Sequence, residues 1–170
     1  MRYCPYFCEE NVWHLCQDDA VRDDAPLVVV PLEERRVVFV SNDTKQVRMR
    51  HQRAGQGGVV IWDYHVVLLA RGRVWDLDCT LGMPLDVDRW LTDSFVDADD
   101  APGAARFRVV DAADFVRTFA SDRSHMVESG HPFPSWPPIG EGMTLMRFVD
   151  FTDAFVGEIV DAATLRRLKR

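Results

Sequence analysis

An α+β fold with a mostly antiparallel sheet is the architecture this sequence predicts. Two short apolar runs, Val37-Val38-Phe39-Val40 and Phe107-Arg108-Val109-Val110, have the length and β-branched content of buried strands. A hairpin signal lies between them: residues 59–70, a turn around Arg71-Gly72-Arg73, then residues 74–78. Helix-like stretches flank these strands rather than alternating regularly with them.

The first helix is expected over residues 9–20. Val12, Leu15 and Cys16 recur at spacings of three and four, Trp13 stands beside them, and Glu9-Glu10 occupy the first turn. Asp23-Asp24-Ala25-Pro26 then breaks the chain. Ser41-Asn42-Asp43 ends the first strand, residues 45–51 read as a further short strand, and residues 53–58 as a loop. Residues 84–96 lead from a loop into a helix whose apolar face is Trp90, Leu91 and Phe95. An acidic loop follows at residues 97–103. Residues 112–120 are a short helix, and the Pro- and Gly-rich stretch 129–142 predicts an ordered loop crossing the surface. The tail from Phe148 holds one more turn or strand and a final helix. No repeat or composition shift divides residues 1–170, which read as a single domain.

The 170 residues are 47% hydrophobic and 28% charged, a globular composition. A net charge of −7 argues against nucleic acid as a partner, because phosphate affinity comes from clustered Lys and Arg. The basic cluster Arg166-Arg167-Leu168-Lys169-Arg170 reads as a solvated helix end. No run approaches the ~18 apolar residues of a membrane span, and Met1-Arg2-Tyr3-Cys4-Pro5 lacks the apolar core of a signal peptide. The expectation is a cytoplasmic, monomeric protein with no membrane partner. Cys4, Cys8, Cys16 and Cys79 are expected as free thiols, and their spacing does not suggest a zinc site. Glu33-Glu34-Arg35-Arg36 and Asp99-Asp100 read as solvated charge.

Three segments bear chemistry. Cys8 opens the first helix, where unpaired backbone N–H groups and the helix dipole favour a thiolate and an oxyanion. Cys16 falls on the apolar face of the same helix and reads as core. His65 lies in the apolar run Val60-Ile61-Trp62-Asp63-Tyr64-His65-Val66-Val67-Leu68-Leu69, with Asp63 on the same strand face by period two. If Ala70 pairs with Arg73, His65 lies opposite Asp78, with Asp76 one pair along on the same face. A shift of one residue puts Asp76 opposite His65. Either register gives the imidazole a carboxylate that would fix its tautomer, and hairpin arithmetic leaves the choice between Asp76 and Asp78 open. The third segment, Ala120-Ser121-Asp122-Arg123-Ser124-His125-Met126, reads either as the lining of a binding site or, preferably, as a turn capped by Ser121 or Asp122.

Taken in order, Cys8-Glu9-Glu10-Asn11-Val12-Trp13, the His65 run, Asp76-Leu77-Asp78 and Phe119-Ala120-Ser121-Asp122-Arg123-Ser124-His125-Met126 resemble the protein N-terminal glutamine amidohydrolases over nearly the whole chain. The resemblance implies a papain-like or transglutaminase-like fold. It also implies a triad of Cys8 as nucleophile, His65 as base and Asp76 as orienting acid, acting without a metal or organic cofactor. The implied reaction converts the side-chain amide of an N-terminal glutamine, in a protein or peptide, to glutamate and ammonia, a step that feeds an N-degron pathway. Glu9, Asp63 and Asp122 are the candidate carboxylates for the substrate's free amine. The competing readings are another thiol acyl-transfer enzyme acting on internal glutamine, a cysteine peptidase, and a silent binder of peptide N-termini. Relative to the family pattern the hairpin turn and the Pro-rich loop are shorter, which bears on substrate entry rather than on the triad.

Overall fold

The structure, a computed structural model, describes residues 1–23, 28–99 and 101–168. Six strands form one antiparallel sheet. They are β1 (Arg35–Ser41), β4 (His65–Ala70), β5 (Arg73–Trp75), β6 (Leu85–Asp86), β7 (Arg106–Asp111) and β8 (Glu158–Val160), in the order β6-β5-β4-β1-β7-β8. β2 (Val47–Met49) and β3 (Val60–Trp62) pair separately as a two-stranded ribbon. The helices are α1 (Cys8–Leu15), α2 (Val87–Ser94), α3 (Ala112–Thr118), α4 (Leu145–Val149) and α5 (Ala162–Arg167).

Both faces of the main sheet are covered, which explains why its central strands read as unbroken apolar runs. Alternate residues of β1 and β4 enter two different cores. Val37, Phe39, Val66 and Leu68 join Val12 and Leu15 of α1, Phe115 of α3 and Phe148 of α4. Val38, Val40, Val67 and Leu69 join Trp90 and Leu91 of α2 and Leu165 of α5. The period-two alternation of the strands thus sorts each residue to one layer or the other.

The expected long hairpin is divided. The chain leaves β3 at Trp62 and enters β4 only at His65, so Asp63 sits on the exposed connection and does not share a strand face with His65. The turn itself matches one of the two registers considered: Ala70 pairs with Arg73 across Arg71 and Gly72. Their φ values of 46° and 72° are those of the primed turn that suits a twisted hairpin. The ladder ends at Leu68–Trp75. Beyond it the chain curls into a turn, with the Cys79 N–H donating to the Asp76 carbonyl at 3.1 Å.

Helix α1 stops at Leu15, five residues short of expectation, for a reason supplied from elsewhere in the chain. Arg35, expected in solvent, is buried. Its guanidinium donates to the carbonyl oxygens of Leu15, Cys16 and Asp18 at 3.2, 2.7 and 3.0 Å, and to that of Val30 at 2.8 Å. The carbonyls orphaned at a helix end thereby find a cationic partner. Arg36 pairs with Asp111 at 2.8 Å and Glu34 with Arg71 at 2.6 Å in surface ion pairs, so Glu33, Glu34 and Arg36 fit the solvated reading and Arg35 alone departs from it. Asp99 is exposed, accepting from Arg166 at 2.5 Å in a surface ion pair, and fits the solvated reading. Asp100 and the end of the basic tail, Lys169 and Arg170, lie outside the described residues, as does most of the break at residues 23–26. Arg35→Met is expected to leave buried carbonyls unpaired and to lower stability by about 1–3 kcal/mol, read as a lower urea midpoint with an unchanged slope.

Candidate active site

The site forms at the end of the sheet where β4 begins and the two covering layers meet. His65, the first residue of β4, is buried, and its Nε2 is 2.9 Å from Asp76 Oδ1. Asp76 arrives there by the turn that follows β5, not by direct cross-strand pairing. Three further donors converge on the same carboxylate. Gln52 Nε2 and Trp90 Nε1 each donate to Oδ2 at 3.1 Å, and the Asp78 N–H donates to Oδ1 at 3.1 Å. Burial alone would push this carboxyl up, but His65 and these hydrogen bonds outweigh it and hold Asp76 below the usual carboxylate range. Burial likewise disfavours the charged imidazole of His65; the adjoining Asp76, with Asp78 and Glu9, overcomes that penalty and raises its pKa. Trp62 stacks near the ring, with centroids 5.7 Å apart and planes 13° from parallel. With Nε2 committed to Asp76, Nδ1 is the ring nitrogen left for proton transfer.

Cys8 is the first residue of α1 and is buried. Its sulfur faces the N–H of Val66, next along the chain from His65, and the thiol donates to Glu9 Oε2 at 3.6 Å. The expected thiolate-favouring helix terminus is not the dominant influence. Burial, then the charges of Glu9 and Asp78, push the Cys8 thiol well up. The nucleophile candidate is therefore a protonated thiol near neutral pH.

Glu9 and Glu10, expected as first-turn surface acids, are both fully buried and have opposite fates. Glu10 is satisfied: Arg123 donates to it twice, at 2.8 and 2.7 Å, and Trp136 Nε1 once, at 2.7 Å. Arg123 also holds the carbonyls of Trp136 and Pro137, binding the Pro-rich loop to α1. Glu9 is not satisfied. Its Oε1 has no hydrogen-bond partner; the nearest basic group is His125 Nε2 at 3.7 Å, which also lies 3.4 Å from the Tyr64 hydroxyl. Burial lowers the pKa of His125, so it offers Glu9 no compensating charge near neutral pH. Burial, with the charge of Glu10 adding to it, raises the Glu9 carboxyl to about 7.

Cys8, His65, Asp63, Tyr64, Asp78 and His125 line one cavity of about 520 Å³, whose outer walls are Tyr6, Trp62, Met126, Met146 and Val149, with Lys45 and His131. Asp63 thus reaches the site from its exposed connection, although its Oδ1 already accepts from the Tyr64 N–H at 2.9 Å. Asp122 does not line the cavity. It accepts from the Ser124 N–H at 2.9 Å, as the capped-turn reading anticipated. Among the described residues, His65, Asp76 and Asp78 are the one group with ligand-type atoms close enough to share a metal ion, all within 4.8 Å. Those atoms already serve one another, Gln52, Trp90 and, at 2.6 Å, the Tyr3 hydroxyl on Asp78, and they read as a hydrogen-bond network.

Residues 3–168 match the family described as N-terminal glutamine amidase. The chain belongs to that family. A protein N-terminal glutamine amidohydrolase of Bos taurus is 40% identical over 161 residues, covering 88% of this chain and 75% of its own length. That of Homo sapiens is 40% identical over 161 residues, with 88% and 76% covered, and that of Arabidopsis thaliana 38% over 148 residues, with 81% and 66% covered. The expected family and the mixed α+β class with a mostly antiparallel sheet stand. None of the described helices is long and apolar enough to cross a membrane.

Of the residues around this amidase site, Gln52 and Trp90 were missed by sequence reasoning. Gln52 lies in a loop without a motif. Trp90 carried only the signal of an apolar helix face, which its buried ring does satisfy while its N–H serves Asp76. Glu9 offers a direct stability test. Its pKa is about 4.3 in an unfolded chain and about 7 here, so the folded state favours the protonated form. That stabilising preference is complete below the unfolded pKa and lost as pH rises through about 7. Glu9→Gln should therefore melt higher than wild type, by an advantage that grows from pH 4 to pH 7, reaches on the order of 3 kcal/mol, and then levels off.

Proposed function

We propose that this protein hydrolyses the side-chain amide of an N-terminal glutamine in proteins or peptides, releasing ammonia and leaving glutamate. The observation that carries the reading is the adjacency of a buried thiol and a buried carboxylate with an unpaired oxygen, Cys8 Sγ and Glu9 Oε2 lying 3.6 Å apart. In glutamine the α-nitrogen and the side-chain amide carbon are four bonds apart, a span of roughly 4–5 Å. One residue can thus set its ammonium on Glu9 and its carboxamide against Cys8. An internal glutamine has no ammonium to offer, and the desolvated carboxylate would stay unpaired. Family membership supports the same substrate.

In this mechanism the Cys8 thiol proton passes to His65 Nδ1 as sulfur attacks the carboxamide carbon. The N–H of Cys8 at the start of α1 is our candidate to hold the developing oxyanion. Asp76 stabilises the imidazolium and keeps Nε2 protonated throughout. The imidazolium then gives its Nδ1 proton to the departing ammonia. His65 next takes a proton from water as that water cleaves the thioester, and returns it to the Cys8 sulfur.

Ammonia release from a Gln-initiated peptide and its N-acetylated twin tests the reading. The expected result is release from the free-amine peptide only, abolished in Cys8→Ala. Equal release from both peptides would make this a general glutamine deamidase, and a shortened peptide product would make it a peptidase. The pH profile of kcat/KM is also specified. Protonation of Glu9 removes the ammonium's partner, which places the acid limb near 7. Deprotonation of a peptide N-terminus, with pKa about 7.7–8.0, removes the ammonium itself and sets the alkaline limb. A narrow bell between those limbs is expected; activity still rising through pH 9 would argue against an ammonium–carboxylate contact.

A further inference from the structure

Glu9 touches the Cys8 thiol from beneath the cavity wall, fully buried, and its two oxygens are differently engaged. Oε2 receives the Cys8 thiol hydrogen at 3.6 Å, while Oε1 is buried and unpaired. The other groups around the sulfur do not balance this charge. Asp78, from the turn after β5, adds a second negative charge on Cys8, while the Tyr64 hydroxyl is set toward Glu9. From β4 come the Val66 N–H and His65. Behind Glu9, His125 Nε2 is 3.7 Å from Oε1. The one lysine of the cavity, Lys45, donates its ammonium to the carbonyl of Val149. The site thus sets two acidic side chains by the sulfur and, among the described residues that bear on it, no Lys or Arg.

We propose that Glu9 is an electrostatic latch on the nucleophile: in the empty site it holds the Cys8 thiol hydrogen, and a bound N-terminal ammonium displaces that hydrogen toward His65. The inference rests on the reading that the substrate's free amine binds at Glu9, and adds that binding arms the thiol. The ammonium donates N–H bonds to the carboxylate and cancels the charge that opposed a thiolate. The S–H bond then breaks as the N–H bond forms at His65 Nδ1, and the freed electron pair on sulfur attacks the carboxamide. No proton enters or leaves the site in the arming step. A ligand without the ammonium fills the cavity but leaves the latch closed, so selection for a free N-terminus is exercised in kcat as well as in KM.

The experiment compares alkylation of Cys8 by iodoacetamide, a neutral reagent, in wild type and Glu9→Gln. Modification is followed at the Cys8 peptide by mass spectrometry, because the half-buried Cys4 also reacts. Loss of the latch should raise the Cys8 alkylation rate near pH 7.5 by roughly tenfold, the change in thiolate fraction that accompanies one pKa unit. The same variant should lose at least as much in kcat/KM for the Gln peptide, together with its preference over the acetylated twin. A merely structural role for Glu9 would not make the thiol faster while making the enzyme slower. Alkylation at the wild-type rate or below, in a variant with a wild-type circular dichroism spectrum and a cooperative melt, would overturn the latch. Glu9→Ala removes the same charge and serves as the second variant. Because alkylation requires no turnover, it separates the two ideas: a wild type that releases no ammonia defeats the amidohydrolase reading, and unchanged alkylation defeats the latch.

Discussion

A carboxylate sunk in a protein core is tolerable only where donors surround it, and Asp76 has four. They come from the start of β4, the loop holding Gln52, helix α2 and its own turn. Each alone is an ordinary hydrogen bond; together they keep the carboxyl ionised where burial would neutralise it. That charge in turn keeps the buried His65 basic. Trp90 connects this arrangement to the core on one face of the sheet, and Cys8 belongs to the core on the other. The two layers are thus held in register at the start of β4, where Cys8 and His65 line one cavity.

Glu9, the residue after Cys8, shows the opposite treatment of the same functional group. Asp76 is fully paired; Glu9 keeps an oxygen without a partner and carries a raised pKa in consequence. An unsatisfied buried carboxylate costs stability, and folded chains retain such a group where a ligand completes it. Its neighbour Glu10 takes the Arg123 guanidinium, which fixes the first turn of α1 while leaving Glu9 unneutralised. The Glu-Glu pair divides accordingly: one acid locks the helix to the Pro-rich loop, and the other lies buried against the Cys8 thiol without a compensating cation.

Legibility in the sequence followed the range of the forces involved. β1 and β7 were visible because apolar content and turn residues are local properties, and α2 because Trp90 and Leu91 repeat at helical spacing. The Ala70–Arg73 turn was visible because two residues able to take positive φ sit between strand-like runs. The partner of His65 was not decidable by ladder counting, since the ladder stops at Trp75 and Asp76 returns through a turn. The early end of α1 and the burial of Glu9 and Glu10 depend on Arg35, Arg123 and Trp136. These lie from 17 to 126 residues away along the chain from the α1-end carbonyls and the Glu10 carboxylate they bind. Nothing in a local window distinguishes Arg35 from a solvated arginine. The resemblance did join the segments around Cys8 and Arg123, and in the fold these two segments do meet, at Glu10 and beside Glu9.

The burial that closes the site also sets its chemical problem. A thiol sealed among two carboxylates and a hydrophobic layer is a poor nucleophile, since desolvation and both charges oppose its ionisation. A permanent cation against the sulfur would solve that problem, but it would also activate the thiol toward any electrophile small enough to enter. Under the proposed latch, the uncompensated charge one residue from the thiol leaves the missing cation to the substrate. The free amine that defines an N-terminal residue is the one feature internal glutamines lack, and under that proposal it is also the charge the site requires. Recognition and activation would then draw on a single ion pair, formed away from bulk water where its energy is least screened.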